Sequence, residues 1–142
     1  MRLLRGESRH VTQVDVYESP AVDRAFTDKE RVFKEAGKDA TKIWVFHGTA
    51  EGILERICSG GFRVAHGSEV VNSAVYGNGV YTSKGPGTPM RYAGGANAVI
   101  LSLALPGVTG AQGKADSWTP KEDWMIFKTG EQLCPRYVVR VE

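Results

Sequence analysis

Ile43-Trp44-Val45-Phe46-His47-Gly48-Thr49 is a compact apolar run of β type that stops abruptly at a His-Gly-Thr triplet. β-Branched and aromatic side chains suit a pleated, packed surface, so Ile43 to Phe46 is predicted to be a strand. A helix follows from about Ala50 to Ser59, with Ile53, Leu54 and Ile57 on one side. Gly60-Gly61 stops it, and Phe62 lands on the core. Upstream, Ser19-Pro20 makes a helix start, with serine as N-cap and proline at the first helical position. Val22, Ala25, Phe26, Val32, Phe33 and Ala36 then fall at helical spacings, and Gly37 is a natural C′ residue. Val11 to Tyr17 alternates as a short strand.

Downstream, the chain from Arg63 to Gly95 is loop-rich and carries Tyr76, Tyr81 and Tyr92 among its glycines and prolines. Ala98 to Leu105 is a continuous apolar run of the kind a central strand shows, closed by Pro106-Gly107. Val108 to Lys121 reads as a loop. Trp124 to Phe127 is another strand, and Gln132-Leu133-Cys134-Pro135 leads to a last one from Tyr137 to Val141. The expected architecture is α+β: one or two helices against a mostly antiparallel, glycine-punctuated sheet.

Composition bounds the function. With 142 residues and 17 glycines the chain suits a single domain. The glycines have no three-residue period, which excludes collagen. Eighteen basic and 16 acidic residues leave a net charge of +2, so no bulk cationic footprint for nucleic acid exists, although a local basic groove is open. The longest apolar run, Ala98 to Leu105, is far short of the roughly 20 residues of a membrane span. The N-terminus has basic residues but no apolar segment of a secretory signal, so an intracellular protein without membrane attachment is expected. Cys58 and Cys134 stand apart from any Cys/His cluster, so no metal site is expected and the thiols should be reduced.

Three segments can carry chemistry. His47 ends a strand beside Gly48, where a ligand can approach the backbone, with the Thr49 hydroxyl next to it; a core histidine bonded to a carbonyl is the plainer reading. Tyr76-Gly77-Asn78-Gly79-Val80-Tyr81-Thr82-Ser83 is neither a Walker loop nor a dinucleotide fingerprint, and a hairpin at Asn78-Gly79 accounts for much of it. A turn does not account for a second aromatic, Tyr92, since two tyrosines near a glycine-lined cleft could sandwich a flat ring. Glu122-Asp123 precedes a strand, where a carboxylate could accept hydrogen bonds from sugar hydroxyls or simply be solvated.

The order of these segments discriminates. A strand ending in His-Gly-Thr, a helix ending in Gly-Phe, a Gly-x-Gly-Val-Tyr turn and a strand-leading acid closely resemble the catalytic domain of poly(ADP-ribose) polymerase-type ADP-ribosyltransferases, the diphtheria-toxin-like branch. The resemblance runs from about Val11 to Val141 and includes the closing Gln-x-x-Pro-x-Tyr-Val-Val pattern at Gln132 to Val139. It implies a split, mostly antiparallel sheet and a His-Tyr-Glu triad that works on NAD as co-substrate. His47 matches the histidine that bonds the adenine-side ribose, and Gly48 the glycine whose backbone grips the carboxamide. Thr49 stands at a serine or threonine of the same motif. Tyr81 and Tyr92 match the two tyrosines that flank nicotinamide, and Arg63 sits where an arginine often lies near the adenosine and pyrophosphate. The stretch from about Ala65 to Ala74 would lie over the donor.

Two positions depart from the pattern. Aligning Trp124-Met125-Ile126-Phe127 with the family's strand puts Asp123 at the glutamate; a shift of one would put Glu122 there, and strand alternation argues against it. Aspartate keeps the charge but is shorter by one methylene, about 1.5 Å. Transfer of a single ADP-ribose is therefore the expectation, against polymer elongation. The family's serine position holds Pro89, so Thr88 or Ser83 would supply the hydroxyl. Nicotinamide is already a cationic leaving group, so two aromatic faces, a backbone clamp and one carboxylate suffice without a metal. The resemblance also leaves room for a domain that binds NAD or ADP-ribose without turnover, and for an NAD glycohydrolase.

Protein side chains are the default acceptor. Terminal phosphates of nucleic acid are the alternative, because Lys84, Arg91, Lys114, Lys121 and Lys128 cluster in sequence around the presumed cleft, although such residues also serve plain solubility. A monomer is expected, without the regulatory helical domain of some relatives. Eleven of the 17 glycines lie between Gly48 and Gly95, the stretch that would wrap the donor.

Overall fold

The computed structural model describes residues 11–48, 51–64, 78–85, 98–121 and 123–141. In chain order these form β1 (Val11–Val16), α1 (Pro20–Glu35), β2 (Ile43–Gly48), α2 (Glu51–Gly60), β3 (Val80–Ser83), β4 (Ala98–Ala104), β5 (Ser117–Trp118), β6 (Trp124–Phe127), a short 3₁₀ turn (Gly130–Gln132) and β7 (Leu133–Val141). The strands build one sheet in the order β1-β7-β4-β2-β3-β6-β5. Each neighbouring pair is antiparallel. The fold is α+β.

Local signals explain the helices. The Ser19 side chain accepts from the Val22 N–H at 3.4 Å, with Pro20 in the first turn. At the other end Gly37 takes φ +73°. Gly37 N–H donates to the Lys34 carbonyl at 3.1 Å and Lys38 N–H to the Phe33 carbonyl at 2.9 Å, the paired bonds of a Schellman close. The buried stripe Val22, Phe26 and Phe33 packs on Leu105 and Cys134. Helix α2 lays Leu54, Ile57 and Cys58 on Ala98, Ile100 and Val138. Each such fully buried aliphatic side chain contributes about 1.5–3 kcal/mol relative to exposure.

Strand β4 lies between β7 and β2, and six of its seven residues are buried, which accounts for an apolar run interrupted only by Ser102. Cys58 and Cys134 are both free and buried. Burial pushes each thiol up to about 11, so both stay protonated at neutral pH.

The structure corrects the element boundaries in three places. Strand β2 continues through His47 to Gly48 instead of stopping at Phe46. Ser117–Trp118, read as loop, pairs with Phe127 and Ile126. Two residues are too few for any periodicity to register. Strand β7 begins at Leu133, four residues early, and runs through Pro135. Proline has no N–H for a ladder, but the β4–β7 register shifts between Leu101 and Ser102, and Pro135 sits at that irregularity opposite Ser102.

One buried side chain ties the far end of the sheet together. Gln132 is 1% exposed. Its Nε2 donates to the Leu105 and Asp116 carbonyls, both at 2.9 Å. Its Oε1 accepts from the Thr129 N–H and Oγ1, both at 3.0 Å. All four hydrogen-bonding positions of the amide are used, which fixes the β6–β7 turn against the segment leading to β5.

Candidate active site

The site begins where β2 and β3 part. The β2–β4 ladder runs the full strand, from Ile43↔Ala104 to Gly48↔Val99. The β2–β3 ladder holds one registered pair, Phe46↔Ser83. Beyond Phe46 the link across the seam is a side chain: His47 Nδ1 meets the Tyr81 carbonyl at 2.7 Å. A carbonyl can only accept, so Nδ1 carries the proton and the neutral ring keeps Nε2 as an acceptor. Burial lowers the His47 pKa, outweighing the bond to Tyr81 that raises it. The ring is thus a neutral acceptor of fixed tautomer, suited to a sugar hydroxyl.

Phe62 holds that imidazole from the side. The two rings meet edge to face, centroids 4.9 Å apart at 78°. Phe62 is half-buried against the Val45-Val80-Phe127 cluster and the α2 cluster. Gly130 presses on the Phe62 backbone so closely that a Cβ there would fall 2.0 Å from the Phe62 carbonyl oxygen.

Tyr81 stands on β3, paired with Ile126. Its ring is half-buried and meets the Trp124 ring edge to face at 6.0 Å and 74°. Paired residues share a face, so alternation sets Tyr81 and Ser83 with Trp124 and Ile126, opposite the core-facing Val80, Met125 and Phe127. The turn before β3 requires glycine at 79: a Cβ would lie 2.6 Å from both the Phe127 carbonyl and the Ile126 side chain.

Asp123 leads into β6. Its carbonyl accepts from the Lys84 N–H at 3.0 Å, carrying the β3–β6 ladder one step further. Its carboxylate oxygens lie 3.5 and 3.6 Å from where a Gly85 Cβ would be, so the carboxylate sits over Gly85 at the end of β3. The Ser83 hydroxyl is buried and donates to the Gly85 carbonyl, which commits its hydrogen within the strand end. Arg63 is exposed beyond Phe62.

His47, Gly48, Tyr81, Ser83 and Asp123 thus gather around the β2–β3–β6 seam. Thr49, Thr88, Tyr92 and Glu122 lie outside the described residues, as do Arg91, Pro89 and the stretch from Ala65 to Ala74. Sequence reasoning overlooked the Phe62 brace on His47, the Trp124 brace on Tyr81 and the Tyr81 carbonyl as anchor. Trp124 at the head of its strand was the available signal for one of them; nothing in the sequence marks the carbonyl. Among the described residues, no group of three or more His, Cys, Asp or Glu side chains could hold a metal. Among them, no helix is long and apolar enough to cross a membrane.

Comparison with known proteins bears on this geometry. Residues 4–108 match the sequence profile of the poly(ADP-ribose) polymerase catalytic domain. The structure superposes on the crystal structure of the PARP domain of Arabidopsis RADICAL-INDUCED CELL DEATH1 with a TM-score of 0.72. The match covers 94% of this chain and 88% of that one at 17% sequence identity, so it speaks to the fold. Among curated proteins, none matches the sequence.

Proposed function

The chain belongs to the poly(ADP-ribose) polymerase catalytic-domain family, whose chemistry is NAD-dependent ADP-ribosyl transfer, and from that premise we propose that it transfers a single ADP-ribose unit from NAD to a macromolecular acceptor, releasing nicotinamide. The observation that carries the reading is the opened β2–β3 seam, with His47 fixed as an acceptor on one side and the Asp123 carboxylate on the other.

In this reading the Gly48 backbone and the Tyr81 ring hold the nicotinamide, with Tyr92 as the second ring. His47 Nε2 accepts from a ribose hydroxyl, and Arg63 lies toward the pyrophosphate. Thr49 and Thr88 add hydroxyls. Ser83 is the weaker candidate for the carboxamide contact, because its hydrogen is given to Gly85. The glycosidic bond breaks with its electron pair going to the ring nitrogen, and positive charge grows on the anomeric carbon. Asp123 stabilises that charge and holds the 2′-hydroxyl. A preorganised carboxylate in a dry site acts this way without a metal.

Aspartate in place of glutamate supports a single transfer: the shorter arm serves the donor sugar and reaches less far toward a second, acceptor sugar. The test is adenylate-labelled NAD incubated with the protein and macromolecular acceptors. Expected are equimolar nicotinamide release and macromolecular labelling, with one ADP-ribose per site by mass. NAD binding with no nicotinamide release would instead identify a binding domain. Free ADP-ribose without labelled macromolecule would identify a glycohydrolase.

A further inference from the structure

We propose that the cavity between the start of α1, the end of α2 and the 3₁₀ turn is a regulatory site for a small organic ammonium ion carrying one ring, whose binding speeds nicotinamide release. The inference rests on the reading of His47 as the acceptor that holds a ribose of the donor.

The cavity has a volume of about 220 Å³. Val22 and Ala25 on α1, Gly61 and Phe62 after α2, Glu131 in the 3₁₀ turn and Leu133 at the start of β7 line it. An apolar cavity of about 150 Å³ already takes benzene, so this one has room for a ring with a short arm.

Its charge selects the arm. Among the described residues of the lining, Glu131 is the one that carries charge. It is exposed, and none of the ion pairs found among the described residues includes it. The last turn of α2 holds no basic residue, so no cation of its own offsets the partial negative charge of its carbonyl end. The positive start of α1 is answered within that helix. Ser19 Oγ accepts from the Val22 N–H at 3.4 Å, the Ser19 carbonyl accepts from the Asp23 N–H at 2.9 Å, and Asp23 places a carboxylate in the first turn. Phe62 adds an aromatic ring, which also attracts a cation. The apolar walls take the body of the ligand, and Glu131 takes its ammonium group.

Phe62 connects the cavity to the donor site. It lines the cavity and also meets the His47 imidazole edge to face, centroids 4.9 Å apart. The cavity therefore gives this half-buried ring space to withdraw from His47. An occupant takes up that space, so it binds better while Phe62 is seated against the imidazole. A ligand shifts such an equilibrium by as much as its affinities for the two arrangements differ. The coupling is reciprocal: NAD bound at His47 tightens the cavity's hold on its ligand.

The experiment uses benzylammonium chloride as the probe, with benzyl alcohol and benzoate as neutral and anionic counterparts at constant ionic strength. Expected is a saturable rise in nicotinamide release of at least about 5-fold with benzylammonium. Benzyl alcohol should need at least about 5-fold more for the same effect, and benzoate should have none. Glu131→Gln should weaken benzylammonium about 5-fold, the upper range for an exposed ion pair. Ala25→Leu, which fills the cavity from α1, should abolish the response. Failure of benzylammonium to bind, binding that leaves release unchanged or slows it, equal potency of the alcohol, or an unaltered response in both variants overturns the proposal alone. If no nicotinamide is released under any condition, the donor-site reading fails instead. The cavity is then judged by the thermal midpoint, which benzylammonium should raise more in the wild type than in Glu131→Gln; equal shifts overturn the site.

Discussion

Replacing Gly130 with alanine should damage the site from a distance, through a route the geometry makes explicit. The new Cβ would stand 2.0 Å from the Phe62 carbonyl oxygen and 2.8 Å from its carbon. A real Cβ essentially never comes within 3.0 Å of such an atom, so the backbone here must shift by about 1 Å. Phe62 cannot relieve this by changing rotamer, because the obstacle is backbone. Its segment is also tied to α2 through the Gly61 N–H bond to the Ile57 carbonyl at 2.7 Å. The displacement therefore passes to the Phe62 ring, which rests 4.9 Å from His47. Overpacking of this kind costs about 1–3 kcal/mol, within the 5–15 kcal/mol of a typical domain, so the variant should still fold. A misplacement of about 1 Å away from the chemistry can cost about 10²-fold in rate. Gly130→Ala should therefore show a lowered thermal midpoint and, well below it, roughly 100-fold slower nicotinamide release from NAD. Destabilisation with wild-type turnover would refute the coupling of Phe62 to His47. No change in either would refute the contact itself.

Two further outcomes follow from buried polar groups. Gln132→Ala orphans the Leu105 carbonyl and the Thr129 N–H, whereas the Asp116 carbonyl keeps Lys128 as a donor at 3.0 Å. At about 1–3 kcal/mol per orphaned group the loss is about 4 kcal/mol, or roughly 10 °C in thermal midpoint; a loss below about 1 kcal/mol in urea titration would contradict the network. His47 has a folded pKa below its ordinary 6.5, chiefly through burial. As pH falls below 6.5 the unfolded chain takes up a proton that the folded ring refuses, so stability present above 6.5 is lost toward the depressed folded value. Urea midpoints measured from pH 7.5 down to pH 5 should fall more steeply in the wild type than in His47→Gln, and parallel curves would contradict the buried neutral imidazole.

What was legible in the sequence is what depends on local chemistry. Ser19-Pro20 and Gly37 bound α1 because capping involves neighbours within a turn. The apolar run at Ala98 announces β4 because both faces of that strand are covered. Strand β5 and the start of β7 were hidden because they depend on partners far along the chain: Ser117–Trp118 is a strand by virtue of β6, and Pro135 is tolerated because β4 shifts register opposite it. The site divides the same way. His47, Tyr81 and Asp123 were marked by their places at strand ends beside glycine or in a strand-leading acid. Phe62 reads as a core aromatic and Trp124 as the first residue of a strand, and their ring contacts with His47 and Tyr81 come from tertiary packing. The Ser83 hydroxyl likewise gives its hydrogen to Gly85, a turn bond that residue type alone does not disclose.

In the proposed reaction the Asp123 carboxylate stabilises the charge developing on the donor sugar. Asp123→Asn keeps the shape and removes that charge. Nicotinamide release from this variant should be slower by about 10²-fold or more, on the scale of losing one preorganised electrostatic contact, with NAD affinity by calorimetry nearly unchanged and Glu122→Gln close to wild type. Wild-type turnover in Asp123→Asn together with an inactive Glu122→Gln would contradict this role and move the carboxylate one residue along the chain.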